Sequence, residues 1–599
     1  VSNYRIVTVR DQPNTRYRIR KENDRYAVVM VNGRAVTEPD LVGRFSVEPG
    51  RVIENGESDV LYRNEGAGRF VPLAFTDGTF EDEQGQPLSE PLYEWGLSVM
   101  FRDLNQDGAP DLYVCNDFSS PDRIWINTGG GRFRALAPLA IRSTSLFSMG
   151  VDVADLNRDG HDDLFVADML SRSHARRQLQ VGDVPPTSLA IGEIANRPQY
   201  SRNTLQVNRG DGTYAELGRL AGLDASEWSW TPVFLDVDLD GFEDLLITTG
   251  HELEMMDADV RKRAEALKAT KPMTPTEQIR LKKMFSRLDS PNVAFRNRGD
   301  LSFEEVGAEW GFATSGVSHG MALGDLDNDG DLDVVINNLN GVAGIYRNRV
   351  GKPRVAVRLH GEGGNRDGIG ARITVKGGPM DQSQEMISGG RYLSGDQAMR
   401  VFAAGRVDAK LTIEVRWRSG RLSVVSNAEA NRIYEVRERD AVSATDPAPV
   451  QPAVPFFEDV SGLIGHGHVE DVFDDFAAQP LLPRRLSQLG PGVAWHDLDG
   501  DGWDDLIVGS GRGGTLGVYR NNGNGGFESI VGAPVNQPVT RDQAGLVAIG
   551  RSILTGSSNY EDGLAVGGAV RAYDLDAGKV SDMVPGQEAS TGPLALGDV

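Results

Sequence analysis

Asp325-Leu326-Asp327-Asn328-Asp329-Gly330-Asp331-Leu332-Asp333-Val334 places carboxylates at positions 1, 3, 5 and 9 of a short loop, with glycine at position 6 and an apolar run directly after it. The same register recurs at 103–111 (DLNQDGAPD), 155–163 (DLNRDGHDD), 236–244 (DVDLDGFED) and 497–505 (DLDGDGWDD). One such loop arises by chance; five in one register do not. Calcium takes six to eight oxygen ligands at about 2.3–2.6 Å in forgiving geometry. Side chains at positions 1, 3, 5 and 9, with the backbone carbonyl of position 7, supply most of that shell. The expected ligands are therefore Asp103, Asn105, Asp107, Ala109 and Asp111; Asp155, Asn157, Asp159, His161 and Asp163; Asp236, Asp238, Asp240, Phe242 and Asp244; Asp325, Asp327, Asp329, Asp331 and Asp333; and Asp497, Asp499, Asp501, Trp503 and Asp505. Ala109, His161, Phe242, Asp331 and Trp503 would act through their carbonyls. Glycine at position 6 permits the left-handed turn that folds each loop around an ion. An EF-hand opens in the same way but places its closing Glu at position 12 and flanks the loop with helices. Here the last acid stands at position 9 and the flanks are strand-like, so about five Ca2+ sites are expected, one per loop.

The repeat is longer than its loop. A strand leads in (97–101, 149–153, 233–235, 321–323, 493–495), the loop follows, and a strand leaves (112–114, 164–166, 245–248, 334–336, 506–508). A hairpin comes next, as in Trp125-Ile126-Asn127-Thr128-Gly129, Phe295-Arg296-Asn297-Arg298-Gly299 and Tyr519-Arg520-Asn521-Asn522-Gly523, with an earlier copy at Tyr62-Arg63-Asn64-Glu65-Gly66. Asn and Gly accept the positive φ that such turns require. The first four loops begin 52, 81 and 89 residues apart. The shortest step is close to one four-stranded propeller blade, so the longer steps require insertions, visible at 171–202 and 251–292. The second insertion carries a helical pattern over 257–267. A capping box follows, Thr274-Pro275-Thr276-Glu277, opening a helix predicted over 278–288. Both insertions are expected to decorate one face of the propeller.

The formal charge of −24 argues against nucleic acid and anionic membranes as partners, since both reward basic surfaces. The single cysteine, Cys115, excludes an intramolecular disulfide framework and cysteine-based zinc sites, and its apolar setting predicts a buried thiol. No run approaches the length needed for a transmembrane helix, and no signal segment opens the chain. Both ends read as cut: Val1-Ser2-Asn3 resembles the tail of a repeat, and Ala595-Leu596-Gly597-Asp598-Val599 resembles Ala322-Leu323-Gly324-Asp325-Leu326 stopped on its first ligand.

The acidic loops cease between 353 and 437, where strands alternate, as in Arg354-Val355-Ala356-Val357-Arg358-Leu359 and Leu411-Thr412-Ile413-Glu414-Val415-Arg416. Alternation predicts an antiparallel sheet with one wet face. That span holds 14 Lys and Arg against 9 Asp and Glu, a basic island that suits a solvated sheet face docked onto the acidic repeats, or else a binding patch for an anionic ligand. A Pro/Ala-rich linker follows at 440–455, and 456–599 resumes the repeats.

Together these motifs resemble the cartilage acidic protein-like family, in which FG-GAP or VCBS repeats form a calcium-binding propeller followed by an ASPIC/UnbV domain. The loops carry half of the resemblance; Asn365-Arg366-Asp367-Gly368-Ile369-Gly370-Ala371, Gly389-Gly390-Arg391-Tyr392-Leu393-Ser394 and Val415-Arg416-Trp417-Arg418-Ser419-Gly420 carry the other half. The resemblance implies an all-β, integrin-α-like propeller over 1–350 with its N-terminal blades missing, an ASPIC/UnbV domain over 353–437, the linker, and a truncated second set of repeats over 456–599, with a helical insertion around 254–288. It also implies an exported protein without established catalysis.

No nucleophile elbow, phosphate loop or dinucleotide fingerprint is present. The densest histidine cluster is Gly465-His466-Gly467-His468-Val469-Glu470-Asp471, where His466 and His468 would share one face of a strand. The expected function is an extracytoplasmic, calcium-stabilised module that binds a protein or glycan. The alternative is an accessory or catalytic component of surface polysaccharide processing that uses the His466 cluster or a propeller-face pocket.

Overall fold

Every acidic loop connects two adjacent antiparallel strands, and its ninth residue is the first residue of the second of them. The computed structural model describes residues 2–3, 7–9, 12, 15–22, 25–48, 51–118, 120–180, 197–270, 273–443, 457–487, 490–562, 569–586 and 588–597. It divides into two units, Val1–Ala448 and Pro449–Val599.

In the first unit, strand Gly96–Arg102 pairs with Asp111–Asn116, Gly150–Ala154 with Asp163–Ala167, Ser229–Leu235 with Asp244–Thr249, and Ser318–Gly324 with Asp333–Asn338. The register is the same in each pair: Arg102 faces Asp111, Ala154 faces Asp163, Leu235 faces Asp244 and Gly324 faces Asp333. Hairpins complete the sheets as Arg123–Gly129 with Arg132–Ala135, Thr204–Asn208 with Tyr214–Glu216, and Val293–Asn297 with Phe303–Glu305, while the fourth sheet adds only Gly344–Tyr346.

The second strands are near-continuous apolar runs because both of their faces are covered. Tyr113 and Cys115 of the first sheet pack with Val151, Leu164 and Val166 of the second. Phe165 and Leu205 of the second pack with Phe234, Leu245 and Ile247 of the third, and Val233 and Leu246 of the third with Met321 and Val334 of the fourth. The sheets therefore stack face to face as blades do. Cys115 is fully buried, and burial pushes its thiol well above the usual range. Short hairpins between residues 17 and 73 precede these sheets.

A domain of two sheets follows: Arg400–Ala403, Arg354–His360 and Arg432–Arg437 in one, and Gln382–Glu385, Arg372–Lys376, Lys410–Arg416, Arg421–Glu429 and Val442–Ser443 in the other. Their alternating apolar residues enclose Phe402, Ile373, Ile413 and Trp417. Val442–Ser443 pairs with Arg421–Glu429, so the sheet runs through the first residues of the expected linker; residues 444–456 lie outside the described residues, as do 181–196 of the first insertion and Asp598 and Val599.

One segment of this domain reaches the first strand of all four sheets. A Cβ on Gly390, which has φ +82°, would come within 3.0 Å of the Met100 side chain. Arg391 donates to Asp152 at 2.5 Å and to Asp396 at 2.8 Å. Tyr392 packs on Trp230, and its carbonyl accepts from Thr231 Oγ1 at 3.2 Å. Leu323 N donates to Asp396 Oδ1 at 3.0 Å. Burial alone would raise Asp152, but Arg391 and Arg102 hold its carboxyl below the usual range.

The helical insertion contains Ala258–Thr270 and Pro275–Lys282, the latter opened by the expected Thr274–Glu277 capping box. It stops six residues short of the predicted end at 288, because the chain must return to the sheet: His251 and Leu288 exchange backbone hydrogen bonds of 3.0 and 2.9 Å.

In the second unit, Val493–His496, Asp505–Val508, Gly517–Asn521 and Phe527–Ser529 form one meander, and Gln543–Ile549, Ser552–Ser557, Val570–Asp574 and Lys579–Val584 form another. Leu498, Ile507, Val518, Leu546, Ile553 and Tyr573 pack between them. In the second meander a tight turn at Gly550–Arg551 stands where an acidic loop would be.

The side chains of Arg391 and Asp152 are 3% and 1% exposed. Removing one member of a buried ion pair leaves the other uncompensated, at about 3–5 kcal/mol. Arg391→Met should lower the unfolding free energy of the first unit by about that amount in denaturant titration, and an unchanged midpoint would remove Arg391 from the supports of the stacked sheets.

Candidate functional site

Backbone geometry makes the five loops one structure repeated. Position 4 adopts positive φ in all of them (Gln106, Arg158, Leu239, Asn328 and Gly500), as does the glycine at position 6. The first aspartate accepts two backbone N–H groups through its two oxygens: Asp103 from Asp107 (3.0 Å) and Gly108 (2.9 Å), Asp236 from Asp240 (3.0 Å) and Gly241 (2.9 Å), Asp497 from Asp501 (3.2 Å) and Gly502 (3.0 Å). Asp155 and Asp325 repeat this pattern. The fifth residue accepts the N–H of the seventh in every loop.

The ninth aspartate joins the loop to the rest of its sheet. Its Oδ2 accepts the N–H of position 2: Leu104 to Asp111 at 2.9 Å, Leu156 to Asp163 at 3.2 Å, Val237 to Asp244 at 2.9 Å, Leu326 to Asp333 at 2.8 Å and Leu498 to Asp505 at 3.0 Å. Its Oδ1 accepts the N–H of a hairpin asparagine: Asn127, Asn208, Asn297, Asn348 or Asn521, at 2.8–2.9 Å. These asparagines serve as more than turn formers, since in four of the five the amide also donates to the carbonyl of loop position 8. The signal lay in the sequence: Asn127 and Asn521 each follow their ninth aspartate by 16 residues, but insertions move Asn208 and Asn297 out of that spacing.

Carboxylate oxygens of Asp236, Asp238 and Asp244 lie within 4.8 Å of one another, as do those of Asp325, Asp327 and Asp333, and of Asp497, Asp499 and Asp505. A cation with metal–oxygen distances of about 2.4 Å can touch oxygens separated by that much. In the other two loops position 3 is asparagine, whose Nδ2 turns to the fifth residue: Asn105 to Asp107 at 3.0 Å and Asn157 to Asp159 at 2.9 Å.

The protein trims the charge of each loop differently. Where position 3 is asparagine, the residue before the hairpin asparagine is apolar, Ile126 or Val207. Where position 3 is aspartate, that residue is an arginine aimed at it: Arg296 to Asp238 at 3.3 Å, Arg347 to Asp327 at 3.4 Å and Arg520 to Asp499 at 2.6 Å. The loop with an acid at position 7, Asp331, receives a second arginine, Arg354, at 2.9 Å from Asp329 and 3.6 Å from Asp331, and Lys352 stands 3.7 Å from Asp238. Negative charge remains in excess. Burial first, then neighbouring carboxylates, pushes Asp103 up to about 6, Asp111 and Asp331 to about 7, Asp163 and Asp236 to about 8, and Asp244 well above the usual range. Asp497, in an exposed loop, is instead lowered by the N–H groups of Gly502, Gly500 and Asp501.

The basic island rests on the acidic loops of its own unit. Asp103 N donates to Glu385 at 3.1 Å, Arg372 pairs with Asp162, Gln384 donates to Glu243 at 3.3 Å, and Asp325 N donates to Gln397 at 2.8 Å. The insertions leave from the other ends of the second strands. There Arg176, on helix His174–Gln180, pairs with Glu254 and Glu227 at 3.4 Å each, and His251 stacks on Trp228 at 4.0 Å. Burial lowers His251 and His319. The histidines of the 465–471 segment share no strand face, because 465–474 forms no strand. His466 Nδ1 lies 2.9 Å from Tyr519 Oη, and His468 Nε2 lies 3.3 Å from Glu470 Oε2.

Comparison with known proteins accords with this geometry. The FG-GAP-like repeat matches residues 103–166, 284–336 and 497–549, and ASPIC and UnbV matches 361–443. Cartilage acidic protein 1 of Homo sapiens is 24% identical over 395 residues, 59% of this chain and 58% of that protein. The Mus musculus protein is 24% identical over 382 residues (57% and 58%), and that of Xenopus tropicalis 26% over 219 (35% and 29%). The chain thus spans less than two thirds of the length of each. Among solved structures, a lectin of Agrocybe aegerita that recognises non-reducing terminal N-acetylglucosamine covers 79% of this chain and 87% of its own at 12% identity, with a TM-score of 0.24, too low to carry an argument. Repeats, the domain that follows them and relatives agree: the chain has an all-β fold that carries FG-GAP-like repeats and an ASPIC and UnbV domain, and it is similar to cartilage acidic protein 1.

Proposed function

We propose that this chain is a calcium-stabilised, extracytoplasmic binding or adhesion module, non-catalytic, whose ligand is a protein or a glycan. The observation that carries the calcium reading is the shared hydrogen-bond plan of the five loops, which orders three or more carboxylates per loop while leaving lone pairs on each for a cation. The ligands are the side chains at positions 1, 3, 5 and 9 and the carbonyl at position 7, from Asp103 to Asp505 as numbered above. A bound Ca2+ would neutralise each cage and fix the turn that joins the first two strands. Such sites fill where calcium is about millimolar, outside the cytosol. The cartilage acidic protein relatives and the FG-GAP repeats support the same placement, and among the described residues no helix is long and apolar enough to cross a membrane. The domain assignment belongs to this reading: repeats over 1–350, ASPIC/UnbV over 353–437, linker over 440–455 and further repeats over 456–599. With the loop ends engaged by the ASPIC/UnbV domain, the opposite ends, which carry the insertions, are the recognition surface of the first unit.

A glycan array and an array of secreted ectodomains, probed with the calcium-loaded chain, test this function. Ile279→Asp, at an exposed position of the second insertion helix, should abolish captured binding while leaving the calcium-dependent melting temperature intact. Turnover of a polysaccharide that depends on His466 would replace the binding reading with a catalytic one.

Calcium should raise the melting temperature and chelator should lower it. The chelator arm has a definite pH sign. Asp163 and Asp236 keep protons up to about pH 8 in the folded chain, whereas unfolded aspartates release them near pH 4. The folded state then binds more protons across that window, so stability in chelator is highest on its acid side and falls as pH rises to about 8. Saturating calcium displaces those protons and should remove the fall; identical pH profiles in calcium and chelator would exclude metal binding by these loops.

The loop arginines and asparagines should act in opposite directions. Arg520→Ala removes a cation from the Asp499 cage and should tighten calcium binding there in a calorimetric titration. Asn521→Ala withdraws the carbonyl clamp at position 8 and should weaken it by about 10- to 100-fold, as loss of outer-shell partners does.

A further inference from the structure

The second unit gathers a carboxylate cluster that belongs to none of the repeat loops. Glu470 comes from the segment before the first meander, Asp542 from the residue before Gln543–Ile549, and Glu561 from the turn after Ser552–Ser557. Their oxygens lie within 4.8 Å of one another. No local turn chemistry requires this, because the three residues are 72 and 19 positions apart in the chain. The cluster also sits away from the Asp497 loop, which joins the opposite ends of the strands.

Glu561 is what makes the cluster more than crowded surface acid. Its side chain is only 6% exposed. Arg512 Nη1 lies 3.0 Å from Oε2, and Oε1 is buried with no hydrogen-bond partner among the described residues. Glu470 Oε1 is buried and unpartnered in the same way. A buried carboxylate oxygen without a donor costs more than a typical hydrogen bond returns, so a missing positive partner is indicated at the point where these oxygens meet. The surroundings fit one. Glycine at 511 leaves room for the Glu470 carboxylate, since a Cβ there would come within 2.2 Å of Oε2.

Charge sets the valence of that partner. Three carboxylates face one guanidinium, Arg512, which is itself shared with Asp471 at 3.2 Å. The neighbouring Arg541 is engaged by Asp562 at 2.8 and 3.1 Å. At least two negative charges remain uncompensated, the complement of a divalent cation. Oxygen donors select Ca2+, Mg2+ or Mn2+, and His468 stands 3.3 Å from Glu470 at the edge of the cluster.

We propose that Glu470, Asp542 and Glu561 form a further divalent-cation site, independent of the five loops, with His468 beside it and Arg512 trimming its charge. Its place, at the strand ends away from the acidic loop, makes it a metal site on the other rim of the second unit. There it would tie the 466–471 segment to both meanders.

Equilibrium dialysis of the full chain against Ca2+ and, separately, Mn2+ counts bound ions in the parent, Glu561→Gln, Asp542→Asn and Asp497→Asn. Glu561→Gln and Asp542→Asn should each bind one ion fewer than the parent in at least one arm, and Asp497→Asn combined with Asp542→Asn should lose two. The Asp497→Asn variant alone reports on the loop reading, so failure of one site is separable from failure of the other. In chelator, melting temperatures of Glu561→Gln and Glu470→Gln should equal or exceed that of the parent, because each removes a charge that repels its neighbours. An unchanged ion count in both arms overturns the proposal, and so does a fall in chelator melting temperature for all three triad variants, which would make the cluster a structural hydrogen-bond network.

Discussion

Two like unit charges 4 Å apart near a protein surface interact by about 4 kcal/mol, and the acidic loops at 236, 325 and 497 each bring three carboxylates within 4.8 Å of one another. The fold is arranged around containing that repulsion. Backbone N–H groups at positions 5, 6 and 7 meet the first and fifth residues, and the ninth aspartate spends its oxygens on position 2 and on the hairpin asparagine. The asparagine carries the constraint from the first turn of the sheet to its third strand. Loop and blade geometry are thereby coupled through a single side chain that bonds to both.

The ASPIC/UnbV domain extends the same electrostatics over a longer distance. Its Arg372 and Arg354 sit on the acidic ends of the blades, while Arg391 runs inward to the buried Asp152. A buried arginine flanked by Asp152 and Asp396 is weak evidence for added stability, because desolvation offsets much of the attraction. It is better evidence for specificity, since only one placement of the 389–396 segment satisfies Asp152, Met100, Thr231 and Leu323 together. The domain therefore works as an internal template on which the first strands of four sheets agree.

Much of this was legible in the sequence because its information is local. The loop register, the strands on either side of it and the Thr274 cap each depend on residues within a few positions of one another, and each appears where the spacing places it. The helix beginning at Pro275 was overextended because amphipathic spacing continues past Lys282, whereas the return of Leu288 to His251 is a tertiary demand that local spacing does not encode. His466 and His468 alternate as strand residues would, yet no neighbouring strand exists to pair with them, and they turn to separate partners. The Glu470 cluster was invisible for a related reason: its members come from three segments, and only the fold brings them together.

The pairing of position 3 with the residue before the hairpin asparagine is the subtlest of these patterns. Loops at 103 and 155 give up the carboxylate at position 3 and have an apolar residue before the asparagine; loops at 236, 325 and 497 keep it and supply Arg296, Arg347 or Arg520, and the loop with an acid at position 7 adds Arg354. At position 3, then, a loop either lacks the carboxylate or meets it with an arginine. If affinity alone were the target, the arginines would be a liability, because each competes with the ion for the oxygen it touches. Their presence gives each third carboxylate a positive partner within the fold itself.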